Sequence, residues 1–296
     1  MSHDLLQALV IFAVGLAAGT INTVVGSGTL ITFPTLLAFG YAPVLANVSN
    51  NVGLVPGVAS GVFGYRAELT GQRRRILRLG SASLGGGLVG AILLLTLPQG
   101  EFKSIVPALI GVAVVMVVIQ PRLAAWVAAR QRGRAALPGT ADPGTGGDAP
   151  GMRGSGTAAD ATRATAVAVP VTAPAPATEA IGGPVLWVLV FLAGIYGGYF
   201  GAAQGVLLIG MLGIALGDTM QRINAVKNVL AGLVNGLAAI VFVIATHVDW
   251  GVAGLIAAGS IIGGQLGARI GRRLPPWGLR VLIVCVGVTA LVRLLA

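Results

Sequence analysis

Charged residues are scarce in this 296-residue chain, in which they make up 9% of the positions and hydrophobic residues make up 55%. The mean hydropathy is +0.90, and several apolar runs approach the ~20 residues that a helix needs to cross a bilayer. These runs lack the apolar-polar alternation of membrane β-strands. The sequence therefore predicts an all-α polytopic membrane protein.

Cysteine and histidine are nearly absent. The single cysteine, Cys285, lies in an apolar run, which excludes an intramolecular disulfide and a cysteine metal site. The two histidines, His3 and His247, are far apart in the sequence, so a dedicated zinc site is not expected. No nucleophile, base or set of metal ligands lies at membrane depth either. We therefore expect neither an enzyme nor a bound cofactor.

Acidic residues are also few: nine carboxylates stand against 19 lysines and arginines, giving a formal charge of +10. All nine fall in loops, in a polar linker or at segment ends: Asp4, Glu68, Glu101, Asp142, Asp148, Asp160, Glu179, Asp218 and Asp249. This placement disfavours a carboxylate proton relay or sodium site and suits a small anion. Asp218, four residues before Arg222, predicts a boundary ion pair. The arginine clusters lack interleaved aromatics, which indicates membrane topology rather than nucleic-acid binding.

A single long polar segment divides the chain. Residues 121–183 are rich in Gly, Pro, Ala and Thr and predict a flexible cytoplasmic linker between membrane repeats at 1–120 and 184–296. Each repeat has five apolar segments: 5–25, 29–40, 44–64, 79–97 and 103–120, then 184–203, 205–217, 224–246, 250–271 and 277–295. The first carries Asp4 and no basic residue near its start, so we interpret it as a span and not a cleavable signal.

The two halves match each other in sequence, at an offset of 175 residues that becomes 177 after a short insertion. The matches include polar and glycine positions: Gly19 with Gly194, Gly26 with Gly201, Gly40 with Gly217, Asn47 with Asn224, and Asn51 with Asn228. Shared Leu and Val would mean little in membrane helices, but asparagines and glycines in the same order predict an internal repeat.

The arginines also predict orientation, because cytoplasmic loops carry an excess of them. The loops RAELTGQRRRILR and RIGRRLPP and the start of the linker are arginine-rich, whereas the repeat counterparts THVDW and PQGEFKS are not. All these loops follow this rule if each half crosses the membrane five times. The two halves are then inverted repeats, and both termini lie outside. If the short segments 29–40 and 205–217 only re-enter the membrane, the number of crossings falls to eight and the two halves have the same orientation. The sequence leaves this open.

The first apolar segment of each half ends in a polar, glycine-rich break. These breaks are GTINTVVGSGTLITFP at residues 19–34 and GIYGGYFGAAQGVLL at residues 194–208. Paired interruptions favour a midplane substrate site, because N–H groups freed at a half-helix N-terminus can bind an anion. The alternative is close helix packing, which we expect for the glycines at 87–90 and 259–271.

The third segments add polar residues at membrane depth. Asn47 and Asn51, like Asn224 and Asn228, are four residues apart, so each pair shares a helix face. Such amides also serve as glue between helices. Lys227 indicates a functional role, because burying an ammonium in the membrane costs roughly 2.5–3.5 kcal/mol and requires a partner or an aqueous cavity. Its alternative is to snorkel to the cytoplasm beside Arg222.

These two copies, AAGTINTVVGSGTLITFPTLLAFG and AGIYGGYFGAAQGVLLIGML with RINAVKNVLAGLVNG, resemble the TauE/SafE family of sulfite exporter-like membrane transporters. The resemblance covers both membrane halves and leaves out the linker. It implies a plasma-membrane carrier of small sulfur-containing anions. An idealised family member has a Gly-Gly-Gly run where this chain has GSGT and GAAQG, which makes Ser27 and Gln204 candidate specificity residues.

The sequence therefore predicts a secondary transporter of a small anion, working by alternating access at a site between the repeats. The resemblance implies that this anion is sulfite, thiosulfate or an organosulfonate. The candidate substrate-binding residues are Asn22, Gly26, Ser27, Gly28, Asn47, Asn51, Tyr196, Gly201, Gln204, Asn224, Lys227 and Asn228. A passive anion channel and a structural subunit of a membrane assembly remain alternatives. The expected partners are the anion and the lipid bilayer, and any proton coupling runs through Lys227 or the substrate itself.

Overall fold

The chain folds into a helical bundle. The computed structural model describes residues 2–135, 183–270 and, between 281 and 292, all positions except 282, 287 and 290. Its helices are α1 Ser2–Val24, α2 Thr29–Ala38, α3 Pro43–Gly64, α4 Arg73–Thr96, α5 Gln99–Ala135, α6 Pro184–Tyr199, α7 Gln204–Ala215, α8 Met220–Ala245 and α9 Trp250–Ile270. The described positions between 281 and 292 are helical too. The prediction of an all-α membrane protein is confirmed.

Most helices follow the apolar segments closely, and the differences lie where polar residues are good helix formers. Helix α4 begins at Arg73, six residues before its apolar segment. Helix α5 continues to Ala135, well into the stretch assigned to the linker. Arginine and alanine both favour helix, so the backbone stays helical after the hydrophobic run has ended. Residues 136–182 of the linker and several positions of the last segment lie outside the described residues.

Within the part of the chain that the structure describes, five helices are long and apolar enough to cross a bilayer: Asp4–Val24, Arg73–Thr96, Ser104–Arg122, Met220–Ala245 and Trp250–Arg269. Helix α3 has 22 residues and thus the length to cross, but the polar side chains of its first half lower its hydropathy. A polar stretch inside a helix of spanning length is expected to face protein rather than lipid. Asn47, Ser49, Asn50 and Asn51 are indeed all buried.

Glycines let helices of the two halves lie almost backbone to backbone. Helix α1 packs along α9, and α4 packs along α6. A Cβ atom at Gly90 would lie 2.1 Å from the carbonyl oxygen of Ile195, and one at Gly263 would lie 2.1 Å from that of Leu16. The packing role expected for these glycine-rich stretches is confirmed. Each half thus packs its first helix on the fourth helix of the other, as the predicted repeat requires.

Helix α2 turns back along α1. Its start is close to α1, since a Cβ at Gly28 would lie 2.5 Å from the carbonyl oxygen of Ala18. Further on, Thr32 and Leu36 line a small void together with Ile11 and Val14 of α1. Helix α2 has 10 residues, which is about 15 Å, half of the hydrocarbon core. It therefore re-enters rather than crosses. The helical hairpin returns the chain to the side from which α1 started.

This hairpin keeps the orientation predicted from the arginines. After this hairpin, α3, α4 and α5 each traverse the bundle once. Three passes place the end of α5 on the side opposite to the start of α3. The arginine-rich loop before α4 and the end of α5 then share one side, as five crossings per half would also give. The inverted relation of the halves remains a prediction, and the re-entrant path of α2 is compatible with it. The expectation that re-entry gives the two halves the same orientation is wrong for the first half, because it assumed that α1 crosses alone, whereas α1 and α2 together return to the side where α1 started.

An ion-pair cluster joins the start of α4 to the start of α8. Arg75 Nη1 donates to Asp218 Oδ2 at 2.8 Å, and Arg222 Nε lies 2.9 Å from Asp218 Oδ1. Arg75 is buried, with 4% of its surface exposed. Arg222 also donates to the carbonyl of Thr70, in the loop before α4, at 3.2 Å. The boundary ion pair predicted from the sequence is confirmed, and it also binds the two halves together.

Asp218→Asn is expected to destabilise the protein by about 1.5–3 kcal/mol, because buried Arg75 loses a charged partner. Burial alone would raise the pKa of Asp218, but hydrogen bonds from Arg75 and Arg222 and from the Thr219 N–H lower it below its ordinary value. The stabilisation is therefore complete above the ordinary Asp pKa of about 3.9 and is lost as pH falls through the folded-state pKa.

Thermal unfolding of the purified protein between neutral and acid pH tests this. The wild type should lose stability on acidification, and Asp218→Asn should show less of this loss. Asp249→Asn is a suitable control, since Asp249 Oδ1 accepts from the Val252 N–H at 3.0 Å and an asparagine oxygen caps a helix equally well. Equal melting temperatures of wild type and Asp218→Asn at neutral pH would contradict the role of the cluster.

Candidate functional site

The two helix breaks meet each other inside the bundle. The N–H of Gly205 donates to the carbonyl oxygen of Gly26 at 3.2 Å. A Cβ at Gly26 would lie 2.4 Å from Gly205 Cα, and one at Gly205 would lie 2.5 Å from Gly26 Cα. Gly26 and Gly201 also have φ values of +87° and +77°, which side-chain-bearing residues rarely adopt. Glycine at these positions thus permits both the turn and the contact.

The N-termini of α2 and α7 lie at this meeting point. Helix α2 follows Gly28 and helix α7 follows Ala203, and neither start is capped by a side chain. The N–H of Gly205 is taken by Gly26, as described. Other first-turn N–H groups bond to the turn before their own helix, as Leu30 does to Ser27 and Val206 to Ala203. Both helix ends nevertheless carry a partial positive charge. Two positive helix ends therefore face the same small region.

Buried hydrogen-bonding groups without a partner belong to residues of the two breaks. Ser27 Oγ and Gln204 Nε2 have no hydrogen-bond partner, although the exposed fractions of these residues are 0% and 2%. The Gln204 side chain lies against Gly197, where a Cβ would come within 2.2 Å of its Cδ. The hydroxyls of Tyr196 and Tyr199 are likewise buried and unpartnered. Buried polar groups are normally satisfied, so a cluster of exceptions favours a ligand site.

The asparagines of the third helices cap the broken helices of the opposite half. Asn47 Nδ2 donates to the carbonyl of Tyr199, the last residue of α6, at 3.1 Å. Asn224 and Asn228 both donate to the carbonyl of Thr23, near the end of α1, at 3.2 and 3.3 Å. A helix end leaves carbonyls without intrahelical donors, and these amides supply them. Each half thereby fixes the break of the other.

Lys227 reinforces the cap on α1. Its side chain is completely buried, and Nζ donates to the carbonyls of Asn22 at 3.0 Å and Thr23 at 3.2 Å. Its stem passes Gly205, where a Cβ would lie 3.1 Å from Lys227 Cδ. The negative end of the α1 dipole faces the ammonium. The alternative that Lys227 snorkels to the cytoplasm is therefore wrong.

The structure brings most of the predicted residues together around this contact. Gly26, Ser27 and Gly28 lie in one break, Gly201 and Gln204 in the other, and Asn47, Asn224, Lys227 and Asn228 cap them. Asn22 is half-buried and meets Lys227 through its carbonyl oxygen. Asn51 is buried on α3, with Oδ1 unpartnered. Their assignment as substrate ligands remains a prediction.

Sequence reasoning left Asn50 out of the site. Asn50 Nδ2 lies 3.4 Å from Thr29 Oγ1, at the start of α2, and its Oδ1 is unpartnered. The signal was available, because the repeat offset of 177 places Asn50 at the position of Lys227. The repeat therefore pairs an amide with an ammonium, and both side chains contact the first break, Asn50 at Thr29 and Lys227 at Asn22 and Thr23.

An apolar groove of about 460 Å³ lies elsewhere, between α3 and α8. Its walls are hydrophobic, and they include Ile240 and Ile244, which are 58% and 80% exposed. None of the predicted substrate residues lines it. Its composition suits contact with lipid tails, so it does not compete with the polar break region as a site for an anion.

Comparison with known families agrees with this geometry. The family model described as "Sulfite exporter TauE/SafE" matches residues 11–294, which include both breaks, the capping asparagines and Lys227. No curated protein and no solved structure matches the chain. The resemblance noted from the motifs is thus confirmed over nearly the whole sequence. The chain belongs to the sulfite exporter TauE/SafE family and is a multi-pass membrane transporter protein.

Proposed function

We propose that this protein is a secondary transporter of a small sulfur-containing anion, such as sulfite, thiosulfate or an organosulfonate, in the plasma membrane. The observation that carries the proposal is the meeting of two uncapped helix N-termini at the Gly26–Gly205 contact. Positive helix ends in a region without solvent attract anions. Unpartnered groups at Ser27 and Gln204 are available to orient an oxyanion. Family membership supports the sulfur-containing class of substrate.

The roles of the remaining residues follow from their positions. Lys227 supplies positive charge, and Asn47, Asn224 and Asn228 hold the half-helices that present their N-termini. Asn51 would donate its amide hydrogens to the anion. Thr20, Asn22 and Tyr196 shape the surroundings of the site. Proton coupling, if present, runs through Lys227 or through protonation of the substrate.

Alternating access is the mechanism that this architecture supports best. The caps and the Gly26–Gly205 contact join the two halves around the breaks. Rocking one half against the other would open the region first to one side and then to the other. Because the contact is a single backbone hydrogen bond between glycines, its separation costs little side-chain rearrangement.

Uptake into liposomes that contain only the purified protein tests this function. Sulfite, thiosulfate, sulfate, a sulfonate and chloride should be compared, each with and without unlabelled anion inside. Selective uptake that is accelerated by internal substrate is expected of a carrier. Uptake without such acceleration would indicate a channel. Failure to move any anion would count against the proposal and favour a role as a subunit.

Ser27→Ala is expected to raise the KM for the transported anion about tenfold, the equivalent of one hydrogen bond of about 1.4 kcal/mol. The concentration dependence of uptake gives this value. Ser83→Ala is the matched control, because Ser83 Oγ is also completely buried and unpartnered. Ser83 lies on α4 beside Gly194, in the helical part of α6, and not at the Gly26–Gly205 contact. If both variants changed KM equally, Ser27 would not be a ligand.

A further inference from the structure

The buried charges of the described residues are easily counted. Only Arg75 and Lys227 are buried among the charged side chains of residues 2–135 and 183–270 whose exposure is described. Arg75 is paired with Asp218, which Arg222 also contacts. Lys227 has no carboxylate among its partners, which are the carbonyl oxygens of Asn22 and Thr23. The break region thus holds one positive charge that no side chain offsets.

The helix dipoles do not change this count. Two helix N-termini, those of α2 and α7, bring partial positive charge to the breaks, and two C-termini, those of α1 and α6, bring partial negative charge. Each end carries roughly half an elementary charge, so the four ends cancel to first order. They create local fields that orient an anion, but they leave the net charge of the region at the single unit of Lys227.

From this balance we infer that the site selects anions by valence and carries a monoanion, such as an organosulfonate or hydrogensulfite, in preference to a dianion. A monoanion beside Lys227 makes the region neutral. A dianion would leave one negative charge uncompensated in a buried, low-dielectric region, which is as unfavourable as an unpaired ionised side chain there. The inference rests on the anion-transport function proposed above and deepens it.

Methanesulfonate and sulfate are the probes that separate valence from shape. Both are tetrahedral sulfur compounds with an SO₃ group, and at neutral pH they differ by one unit of charge. In liposomes containing the purified protein, we expect methanesulfonate to enter about 100-fold faster than sulfate at equal concentration. This factor corresponds to the insertion cost of one uncompensated charge.

A variant at Asn50 tests the inference by an expected gain of sulfate transport. Asn50 occupies the position in the first half that Lys227 occupies in the second, and its amide touches Thr29 at the start of α2. Asn50→Lys raises the charge of the region to two units and should shift the preference towards sulfate. Asn50→Met has a similar length without the charge and should keep the preference for methanesulfonate.

The outcomes separate this inference from the proposed function. Selective uptake of methanesulfonate by the wild type, with relative sulfate uptake raised only in Asn50→Lys, supports selection by valence. Comparable uptake of both probes by the wild type overturns the inference while leaving anion transport in place. A folded Asn50→Lys protein that transports methanesulfonate and still excludes sulfate also overturns it. If no sulfur anion is moved, the proposed function fails and the inference fails with it.

Discussion

Gly26→Ala is expected to destabilise the protein by about 2–5 kcal/mol and to abolish transport. Gly26 has φ +87°, which costs an alanine about 1–2 kcal/mol. The added Cβ would also lie 2.4 Å from Gly205 Cα and 2.9 Å from its carbonyl carbon. These neighbours are backbone atoms at the start of a helix, so they cannot rotate away. The two breaks must separate, and the hydrogen bond between them is lost.

Gly40→Ala is the matched control for this change. Gly40 has φ +86°, almost the same value, but a Cβ there would meet no atom within 4 Å. The control therefore carries the conformational cost alone. Thermal unfolding in detergent should show a larger decrease in melting temperature for Gly26→Ala than for Gly40→Ala. Equal decreases would mean that the contact between the breaks contributes nothing to stability.

Lys227→Met is expected to reduce the transport rate about 100-fold while leaving a folded protein, the loss matching the value of one buried charge. Removing the ammonium loses two charge-assisted hydrogen bonds of about 1.5–3 kcal/mol each. It also removes the cost of burying a charge, roughly 2.5–3.5 kcal/mol, so the net loss of stability is about 0–3 kcal/mol. Transport is reduced more than stability, because the variant removes the positive charge at the breaks that no described side chain offsets.

Lys227→Gln separates charge from capping, since its amide retains hydrogen-bond donors for the end of α1 but is neutral. Uptake rates and melting temperatures should be measured for both variants. We expect Gln to restore stability in part and transport hardly at all. Full transport with unchanged pH dependence in Lys227→Met would contradict both the electrostatic role and any proton coupling through this residue.

Helix positions were largely predictable from the sequence, because burial in lipid requires long apolar runs. The start of α2 at Thr29 and of α9 at Trp250 agrees with the apolar segments closely. The extension of α5 to Ala135 was not predicted, because hydropathy describes what a bilayer accepts and not where a helix stops. The return of α2 along α1 was also left open, since local sequence does not fix the direction taken after a glycine turn.

The residues of the site could be predicted from the sequence, but the contacts between them could not. Paired glycine breaks and paired asparagines could be recognised from the repeat. That Lys227 caps α1 could not be, because its acceptor oxygens belong to Asn22 and Thr23, about 205 residues earlier in the chain. That each half caps the break of the other depends on the tertiary structure and not on local sequence. The repeat offset did contain the position of Asn50, and applying it residue by residue would have added Asn50 to the site.

The central claim is that the meeting point of the two breaks binds an anion and is reached from either side of the membrane. Ser27→Cys in a Cys285→Ala background tests it most directly, because Cys285 is the chain's single cysteine. Labelling with a membrane-impermeant thiol reagent should occur from both faces in turn and should slow when methanesulfonate is added. Labelling that methanesulfonate, thiosulfate and sulfate all leave unchanged, or that occurs from one face only, would contradict the account.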